Sequence, residues 1–352
     1  MAGNLTRARE QILQLCESDA DARTLRLEVL AVLRRAIGFD AYVWLVTDPE
    51  TSVGSAPLAD VPCLPELPRL IQLKYLTTVN RWTSMITPVA SLRQATGGDL
   101  DRSLIWRDLL CRYQIGDIAS SVFRDRFGCW AFLDLWRMQK SSSFAAAELE
   151  FLHSIAGPLT TALRQSQAAA FAADPAGHQP SAGPVVLLLS PALEVRSQTP
   201  QTQRYLRLLV PPDTAAMAPV PAGAYNVSAQ LLAREAGVDG NPPLARVHLG
   251  SGQWLTLRAD RMDSAQPTAE RDIAVSIEVT DSGGRLSLFT RACGLSPREA
   301  ELLGHVAAGA TTRDIAQLMF VSEHTVQDHL KSIFTKTDTR TRRALLARVV
   351  RT

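Results

Sequence analysis

The sequence predicts an α+β multidomain protein that ends in an all-α domain of four short helices. One observation is a C-terminal block, residues 295–346, in which four apolar-periodic segments each follow a helix start signal. A second is that helical segments and short strand-like runs are interleaved in the preceding residues. A third is the length of 352 residues, which is enough for two or three domains.

The first helix of the C-terminal block has a complete start signal. The Ser296 hydroxyl can accept a hydrogen bond from the N–H of Glu299, and the Glu299 carboxylate can accept one from the N–H of Ser296. Pro297 occupies the first helical position, where no backbone donor is lost. Apolar residues follow at helical spacing, and Gly309 is placed to end the helix in a left-handed conformation.

The other three helices of this block have start signals of their own. Thr311 with Asp314 begins the second helix, Ser322 the third and Thr341 the fourth. An apolar turn at residues 320–321 joins the second helix to the third. Two short helices joined by such a turn are the helix-turn-helix layout, in which the later helix enters the major groove of DNA.

The third helix of the block has polar side chains suited to reading bases. Gln327 can pair with adenine, Lys331 with guanine or a phosphate, and Asp328 can accept from cytosine N4. Residues 291–351 contain ten Lys and Arg against six Asp and Glu, a net charge of +4, whereas the whole chain has +2. The positive charge is therefore concentrated where phosphates are expected, and Arg342 lies in a basic cluster after this helix.

These motifs resemble the DNA-binding domain of LuxR/NarL-type transcriptional regulators over roughly fifty residues. The family pattern L-[ST]-x-R-E, G-x-[ST], I-A, [IV]-S-x-x-T-V and a late lysine stands here as Leu295 to Glu299, Gly309 to Thr311, Ile315-Ala316, Val321 to Val326, and Lys336. The resemblance implies base contacts at Gln327, Asp328 and Lys331, phosphate contacts at Thr325, His329 and Lys336, and a dimer contact within Arg342 to Val350.

Two positions depart from the family pattern. The first base-reading position is often Lys, whereas Gln327 with Asp328 is less cationic, so the target sequence does not follow from the resemblance. The leucine that usually follows the late lysine is Thr337, which predicts looser packing at the end of the third helix. The expected DNA-contacting residues, including one from the basic cluster, are Thr325, Gln327, Asp328, His329, Lys331, Lys336 and Arg342.

Residues 1–170 resemble a GAF domain in the layout of their elements. The sequence predicts helices at 5–16 and 23–37, a strand at 40–47, an irregular middle at 57–110, paired strands at 118–124 and 129–137, and a helix at 144–164. The resemblance implies a small-molecule site between the sheet and the irregular middle. Most aromatic residues there are expected in the core, while Trp82, Trp106 and Tyr113 are candidates for lining an apolar pocket.

Residues 185–284 resemble a PAS domain, again in layout. The predicted order is two strands, two helices and three further strands. Residues 171–184, rich in Ala, Pro, Gly and Ser, are predicted as a linker, 285–294 as a connector, and 295–352 as the DNA-binding domain. The expected fold is therefore α+β multidomain, with GAF-like and PAS-like sensor domains followed by an all-α four-helix LuxR-type helix-turn-helix domain.

Several classes of function lack sequence support. There is no phosphate-binding G-x-x-x-x-G-K-[ST] loop, no G-x-S-x-G nucleophile elbow and no acidic pattern of a phosphorylated receiver domain. The five cysteines are scattered and the histidines lack metal-ligand spacing, so we predict no catalytic residue, no cofactor and no metal site. No apolar stretch reaches membrane-spanning length, and the N-terminus lacks a signal core, so a cytoplasmic, non-enzymatic protein without a membrane partner is expected.

The function that follows is a one-component transcriptional regulator. Its expected partners are double-stranded promoter or operator DNA, a second copy of the chain, a small-molecule effector and, as a further candidate, RNA polymerase. Two alternatives concern the N-terminal residues, which are either a ligand-free interaction and dimerisation scaffold or an acyl-homoserine-lactone-type quorum sensor. The additional block of about 100 residues between sensor and DNA reader counts against the quorum-sensor alternative.

Overall fold

A computed structural model describes residues 2–172, 183–209, 219–249, 253–263 and 271–349. The chain forms two compact units. The first comprises Met1–Leu163, Pro180–Val247 and Leu255–Glu278, and the second comprises Arg164–Gln179, His248–Trp254 and Val279–Thr352. Residues 173–182, most of the predicted linker, and residues 350–352, the end of the predicted DNA-binding domain, lie outside the described residues.

The first unit begins with a five-stranded antiparallel sheet and the helices around it. Its elements are α1 (Ala2–Cys16), α2 (Ala22–Ala36), β1 (Ala41–Thr47), β2 (Gly54–Asp60), α3 (Leu67–Leu76), β3 (Val89–Ser91), α4 (Leu92–Ala95), α5 (Leu104–Asp108), β4 (Ile115–Asp125), β5 (Gly128–Met138) and α6 (Ala146–Ala169). The strand order is β2-β1-β5-β4-β3, so the first and last strands of the sheet are neighbours at its centre.

Local signals set the boundaries of several of these elements. Asp21 caps α2, because its carboxylate accepts hydrogen bonds from the N–H groups of Arg23 and Thr24. Gly38, with a φ of 66°, adopts the left-handed conformation directly after that helix. The β4–β5 hairpin closes with Asp125 opposite Gly128, which leaves a two-residue turn.

A second antiparallel sheet has the same strand order as the first. Its elements are β6 (Val186–Leu189), β7 (Val195–Gln198), α7 (Thr202–Leu209), α8 (Ala222–Glu235), β8 (Leu244–His248), β9 (Trp254–Arg261) and β10 (Ile273–Val279), and its strand order is β7-β6-β10-β9-β8. In both sheets the connection from the second strand to the third contains helices, α3 in the first and α7 and α8 in the second.

The two sheet-containing halves pack against each other inside the first unit. Helix α8 contacts α3 and β2. The buried carboxylate of Asp48, after β1, accepts hydrogen bonds from Arg246 Nε at 2.7 Å and from its backbone N–H at 2.9 Å. Arg81 pairs with Asp239 at 2.5 Å, and Thr83 donates to the same carboxylate at 2.8 Å. Apolar contact and buried, paired charges therefore join the halves.

The second unit contains the C-terminal helices. These are α9 (Ser282–Ala292), α10 (Pro297–Ala307), α11 (Thr312–Leu318), α12 (Glu323–Lys336) and α13 (Arg342–Val349). Within this unit α13 packs on α9 and α10, and α12 packs on α10 and α11. Phe171 stacks on Trp254 with ring centroids 5.0 Å apart and meets Phe289 edge-on at 5.2 Å, which adds an aromatic cluster to the same unit.

Two features differ from the sequence-based expectations. Strand β3 and most of strand β2 lie within residues 57–110, which were expected to be irregular, and α6 continues to Ala169, beyond the expected helix end at residue 164. Pro158 lies inside α6, as the helix expected at residues 144–164 requires. β2 contains Pro57 and is an edge strand, where a missing N–H costs no ladder hydrogen bond, so pairing with β1 decides its conformation.

Two findings bear on the classes of function considered. Among the described residues, none of the helices combines the length and apolar character needed to cross a membrane. In the same part of the chain, no group of three or more His, Cys, Asp or Glu side chains is arranged to hold a metal ion.

Candidate functional sites

The helix starts predicted for the C-terminal block are present in the second unit. At α10 the Glu299 N–H donates to Ser296 Oγ at 3.3 Å, and the Ser296 N–H donates to Glu299 Oε2 at 2.6 Å. Thr311 and Asp314 form the same reciprocal pair at α11. Ser322 caps α12 by accepting the N–H of Thr325 at 3.1 Å. These caps fix where each helix begins and therefore which residues its exposed face presents.

The turn between α11 and α12 is held in an unusual conformation. Phe320 has a φ of 55°, in the left-handed region that residues other than glycine seldom adopt. Its ring is 94% exposed, while Met319 before it is buried. The reversal of the chain at Phe320 lets α12 start immediately afterwards, as a helix-turn-helix requires.

The exposed face of α12 presents the three expected base-reading side chains. Gln327, Asp328 and Lys331 are exposed, while Val326 and Ile333 on the same helix are fully buried. This division means that the helix is anchored by one face and offers its polar face outward. An outward polar face on a helix of 14 residues has the form needed to enter a major groove.

The charges on this face are partly balanced within the helix. Asp328 lies 3.5 Å from His324 Nε2 and 3.6 Å from Lys331 Nζ. All three side chains are more than half exposed, so these pairs are worth at most about 1 kcal/mol and can open when a better partner arrives. A carboxylate beside Lys331 repels phosphate and favours contact with a base that donates a hydrogen bond.

The residues expected to contact phosphate fall into different surroundings. Thr325 and His329 are half-buried, and the Thr325 hydroxyl is paired with Ser322 Oγ at 2.9 Å. Arg342 donates to the carbonyl oxygen of Ala310, in the connection between α10 and α11. Thr325 and Arg342 are therefore held by hydrogen bonds within the domain, and only part of each of the three side chains faces solvent.

Lys336 has a structural partner that the sequence did not predict. Its Nζ donates to both carboxylate oxygens of Glu299, at 2.6 and 2.9 Å, and Ser332 Oγ donates to one of them at 2.6 Å. Burial alone would raise the pKa of the Glu299 carboxyl, but the hydrogen bonds from Lys336, Ser332 and Ser296 outweigh it and hold that pKa at about 2. Lys336 thus ties the end of α12 to the start of α10.

Thr337 occupies the position where the family usually has leucine. It is buried, and its hydroxyl is within hydrogen-bond distance of the Ile333 carbonyl at 2.8 Å and the Thr339 hydroxyl at 2.9 Å. The smaller polar side chain is therefore satisfied by local hydrogen bonds, and the end of α12 is held by them in place of leucine packing.

A second candidate site is a cavity of about 180 Å³ in the first unit. It lies between the first sheet, helix α3 and the start of α8. Its wall is mostly apolar and is formed by Val43, Leu45, Pro57, Ala59, Val61, Leu64, Leu67, Leu70, Ile71, Lys74, Tyr75, Trp82, Ile105, Asp134, Trp136, Val220, Ala222 and Asn226. Leu64 and Val220 are also exposed among the described residues, which puts them at the rim.

One buried ion pair stands in this apolar wall. Lys74 Nζ lies 2.7 Å from Asp134 Oδ2, with the two side chains only 10% and 3% exposed. The other carboxylate oxygen accepts from Trp82 Nε1 at 2.9 Å and from Ser120 Oγ at 2.6 Å. Lys74 Nζ also lies 4.2 Å from the centre of the Trp82 ring, a cation–π contact. Both carboxylate oxygens of Asp134 therefore have partners within the protein, although Asp134 and Lys74 border the cavity.

Two uncharged polar residues complete the wall. The Tyr75 hydroxyl accepts the backbone N–H of Gly54 at 3.0 Å, and burial raises the pKa of this phenol above its usual range. The Asn226 amide donates to the carbonyl of Ala222 at 2.9 Å, inside the first turn of α8. Both groups remain neutral, so Lys74 and Asp134 are the two lining residues among those described that have a formal charge.

The three aromatic candidates for the pocket separate in the structure. Trp82 lines the cavity, stacked on Phe132 with ring centroids 4.9 Å apart. Trp106 and Tyr113 do not line it, and their polar atoms bond to other residues. Trp106 Nε1 donates to the Ile115 carbonyl at 2.8 Å, and the Tyr113 hydroxyl donates to Glu66 Oε1 at 2.6 Å. Of the three candidates, Trp82 is therefore the one that contributes to the cavity wall.

Sequence reasoning missed Lys74 and Asp134, although each leaves a signal. Lys74 follows Leu67, Leu70 and Ile71 at helical spacing, so it occupies an apolar stripe. Asp134 interrupts the apolar run of β5. A charge where the pattern requires an apolar residue must be paired or functional, because burying it alone is costly.

Comparison with known proteins gives a match for the C-terminal residues. Residues 294–349 match the family model described as bacterial regulatory proteins, luxR family. No curated protein matches the chain significantly. The match covers the helices α10 to α13, and it supports a DNA-binding transcriptional regulator with DNA as a partner.

Proposed function

We propose that the chain is a one-component regulator of LuxR type, which binds double-stranded DNA through α12 and a small-molecule effector through the cavity of its first unit. The observation that supports the DNA-binding part most directly is the exposed row of Gln327, Asp328 and Lys331 on a helix whose other face is buried, within residues that match the luxR family. The domain boundaries at residues 170, 184, 284 and 294, and the GAF-like and PAS-like assignments, belong to this proposal.

In this proposal the three exposed base-reading residues of α12 have distinct roles. Gln327 pairs with an adenine edge, Asp328 accepts from cytosine N4, and Lys331 donates to guanine or a phosphate. Thr325, His329 and Arg342 contact phosphates at the edge of this surface. Lys336 contributes through its hold on Glu299, and its charge contributes to the positive field of the domain.

The effector part of the proposal is a population shift. An effector can alter DNA binding only by its difference in affinity for two arrangements of the protein. The cavity supports the binding of an effector, because closely packed protein interiors seldom contain an unfilled space of about 180 Å³. The ligand-free scaffold and the quorum-sensor alternative remain the competing accounts of the N-terminal residues.

The regulator is proposed to act as a homodimer on DNA, with the contact between copies on α13. RNA polymerase is a further candidate partner, because a regulator bound at a promoter must affect transcription by the polymerase. Paired recognition helices predict two half-sites separated by about one turn of DNA, or a multiple of it.

Selection of genomic DNA fragments on the full-length chain tests the proposal. We expect a recurring, two-fold-related sequence to be enriched, and the double variant Gln327→Ala/Lys331→Ala to lose that enrichment while keeping its helical content. Failure to enrich any sequence, or the same enrichment by the double variant, would reject the proposal that α12 recognises DNA bases.

A further inference from the structure

We infer that the cavity of the first unit takes a neutral, largely apolar molecule about the size of one substituted benzene ring. This inference rests on the proposed role of the cavity as an effector site and specifies the class of effector. Its first basis is size. A cavity of about 180 Å³ is comparable to the apolar cavity of about 150 Å³ that binds benzene in another protein.

The second basis is the balance of charge in the wall. Lys74 and Asp134 neutralise each other at 2.7 Å, and both are almost fully buried. An anionic ligand that approached Lys74 would bring a second negative charge beside Asp134. A cationic ligand that approached Asp134 would bring a second positive charge beside Lys74. Either ligand would lose its hydration without a net opposite charge to replace it, so a neutral molecule is favoured.

The third basis is the character of the rest of the wall. Apolar side chains from β1, β2 and α3 line the space, and Trp82, which is stacked on Phe132, adds an aromatic residue to the wall. Ala222 and Asn226 line it from α8, a helix in the half of the unit that contains the second sheet. The molecule would therefore contact both halves of the first unit, and small size is required because α8 contacts α3 and β2.

Four probes of nearly equal size test the charge selectivity. Toluene, benzyl alcohol, benzoate and benzylamine share one ring, and at pH 7 the last two are an anion and a cation. Binding to the full-length protein is measured by isothermal titration calorimetry. We expect toluene or benzyl alcohol to bind at least about tenfold more tightly than either charged probe. A charged probe that binds as tightly as the neutral ones would overturn the inference.

Reciprocal variants then test whether the ion pair sets this selectivity. Asp134→Asn leaves Lys74 without its carboxylate, so benzoate should gain at least about tenfold relative to toluene. Lys74→Met leaves Asp134 without its ammonium group, so benzylamine should gain by a similar factor. Asp60→Asn is the matched control, because this exposed aspartate on β2 pairs only weakly with Arg34, at 3.8 Å. Selectivity unchanged in both cavity variants contradicts the inference.

Size and location are tested separately from charge. Ile71→Trp places a larger side chain on the α3 wall and should abolish probe binding, with circular dichroism confirming that the variant is folded. N-octanoyl homoserine lactone, neutral but much longer, should bind more weakly than benzyl alcohol, and tighter binding of it would reject the size limit. DNA binding is measured on the same samples. For the unsubstituted protein, DNA binding without binding of any neutral probe rejects the inference alone, whereas failure to select any DNA sequence rejects the proposed function.

Discussion

Lys336 and Lys331 show how the structure separates two lysines that the sequence treats alike. Both lie on α12 in a basic domain, and both were expected to contact DNA. Lys336 donates two hydrogen bonds to Glu299, whereas Lys331 has a 74% exposed side chain and one loose contact with Asp328. Replacing Lys336 would therefore alter both stability and DNA binding, and Lys331 is the better probe of DNA contact.

Lys331→Ala is expected to weaken binding to the selected DNA sequence by roughly 5- to 150-fold, because a good base contact contributes about 1–3 kcal/mol. Fluorescence anisotropy at fixed salt measures the change. Arg298→Ala is the matched control, since it removes one positive charge from an exposed position on α10. Equal losses in the two variants would mean that only overall charge matters.

Glu299→Gln is expected to destabilise the contact between α10 and α12 at neutral pH by on the order of 3 kcal/mol, which follows from the low pKa of this buried carboxyl. Hydrogen exchange of the amides in α10 and α12 of the full-length protein measures it. The control is Glu301→Gln on the same helix, because its pair with Arg298 is exposed and should contribute under about 1 kcal/mol. Similar exchange rates in the two variants would contradict the prediction.

The same group predicts a pH dependence with a definite sign. The folded-state pKa of Glu299 is about 2, below the value of 4.5 expected when unfolded. Its stabilising effect should therefore be complete above about pH 4.5 and should disappear as the pH falls towards 2. The difference in exchange between the wild type and Glu299→Gln should shrink over this range, and a difference that grows on acidification would rule out this account.

At the scale of elements, the junction between the two sheets depends on few residues. Asp48 is fully buried and bonds Arg246 on β8 through both side chain and backbone. Burial alone would lower the pKa of the Arg246 guanidinium, but the hydrogen bonds and charges of Asp48 and Glu50 raise it above its usual value. Asp48 and Arg246 therefore stabilise each other, and removing either side chain leaves the other as a buried charge without its main partner.

Asp48→Ala is accordingly expected to cost about 3 kcal/mol at this junction, with Glu50 left as a partial partner for Arg246. Faster hydrogen exchange in β8 and in residues 48–54 is the measurement. Glu194→Ala serves as the control, because the exposed Glu194 lies 3.9 Å from Arg196. Unchanged exchange in β8 would show that apolar packing alone holds the sheets together.

The helix starts of the C-terminal block were predicted, whereas the edge strands of the first sheet, β2 and β3, were not. The starts of α10, α11 and α12 follow from Ser296, Thr311 and Ser322, because a cap forms between residues three positions apart. Strand β2 has no such local signal. It contains a register shift against β1, and its Gly, Ser and Pro residues disfavour a strand until β1 supplies the pairing.

At the scale of the whole molecule, the proposal requires two copies of the chain on one DNA site. Native mass spectrometry of the full-length protein with the selected DNA should give a complex of two chains per duplex. The affinity should fall with salt by a power that reflects the number of phosphate contacts, about 0.9 per contact. A saturated complex with one chain per duplex would exclude the dimer, and scrambled DNA provides the control for specificity.

The C-terminal domain, its four helix starts and the polar face of α12 can be read from the amino-acid sequence alone, because those features depend on residues close together in the chain. The folded chain was needed to show that Trp106 and Tyr113 lie outside the cavity wall. It was also needed to find the pairs Lys336–Glu299 and Lys74–Asp134. Those pairs join residues far apart in sequence, and their partners are chosen by packing and burial, which no local pattern specifies.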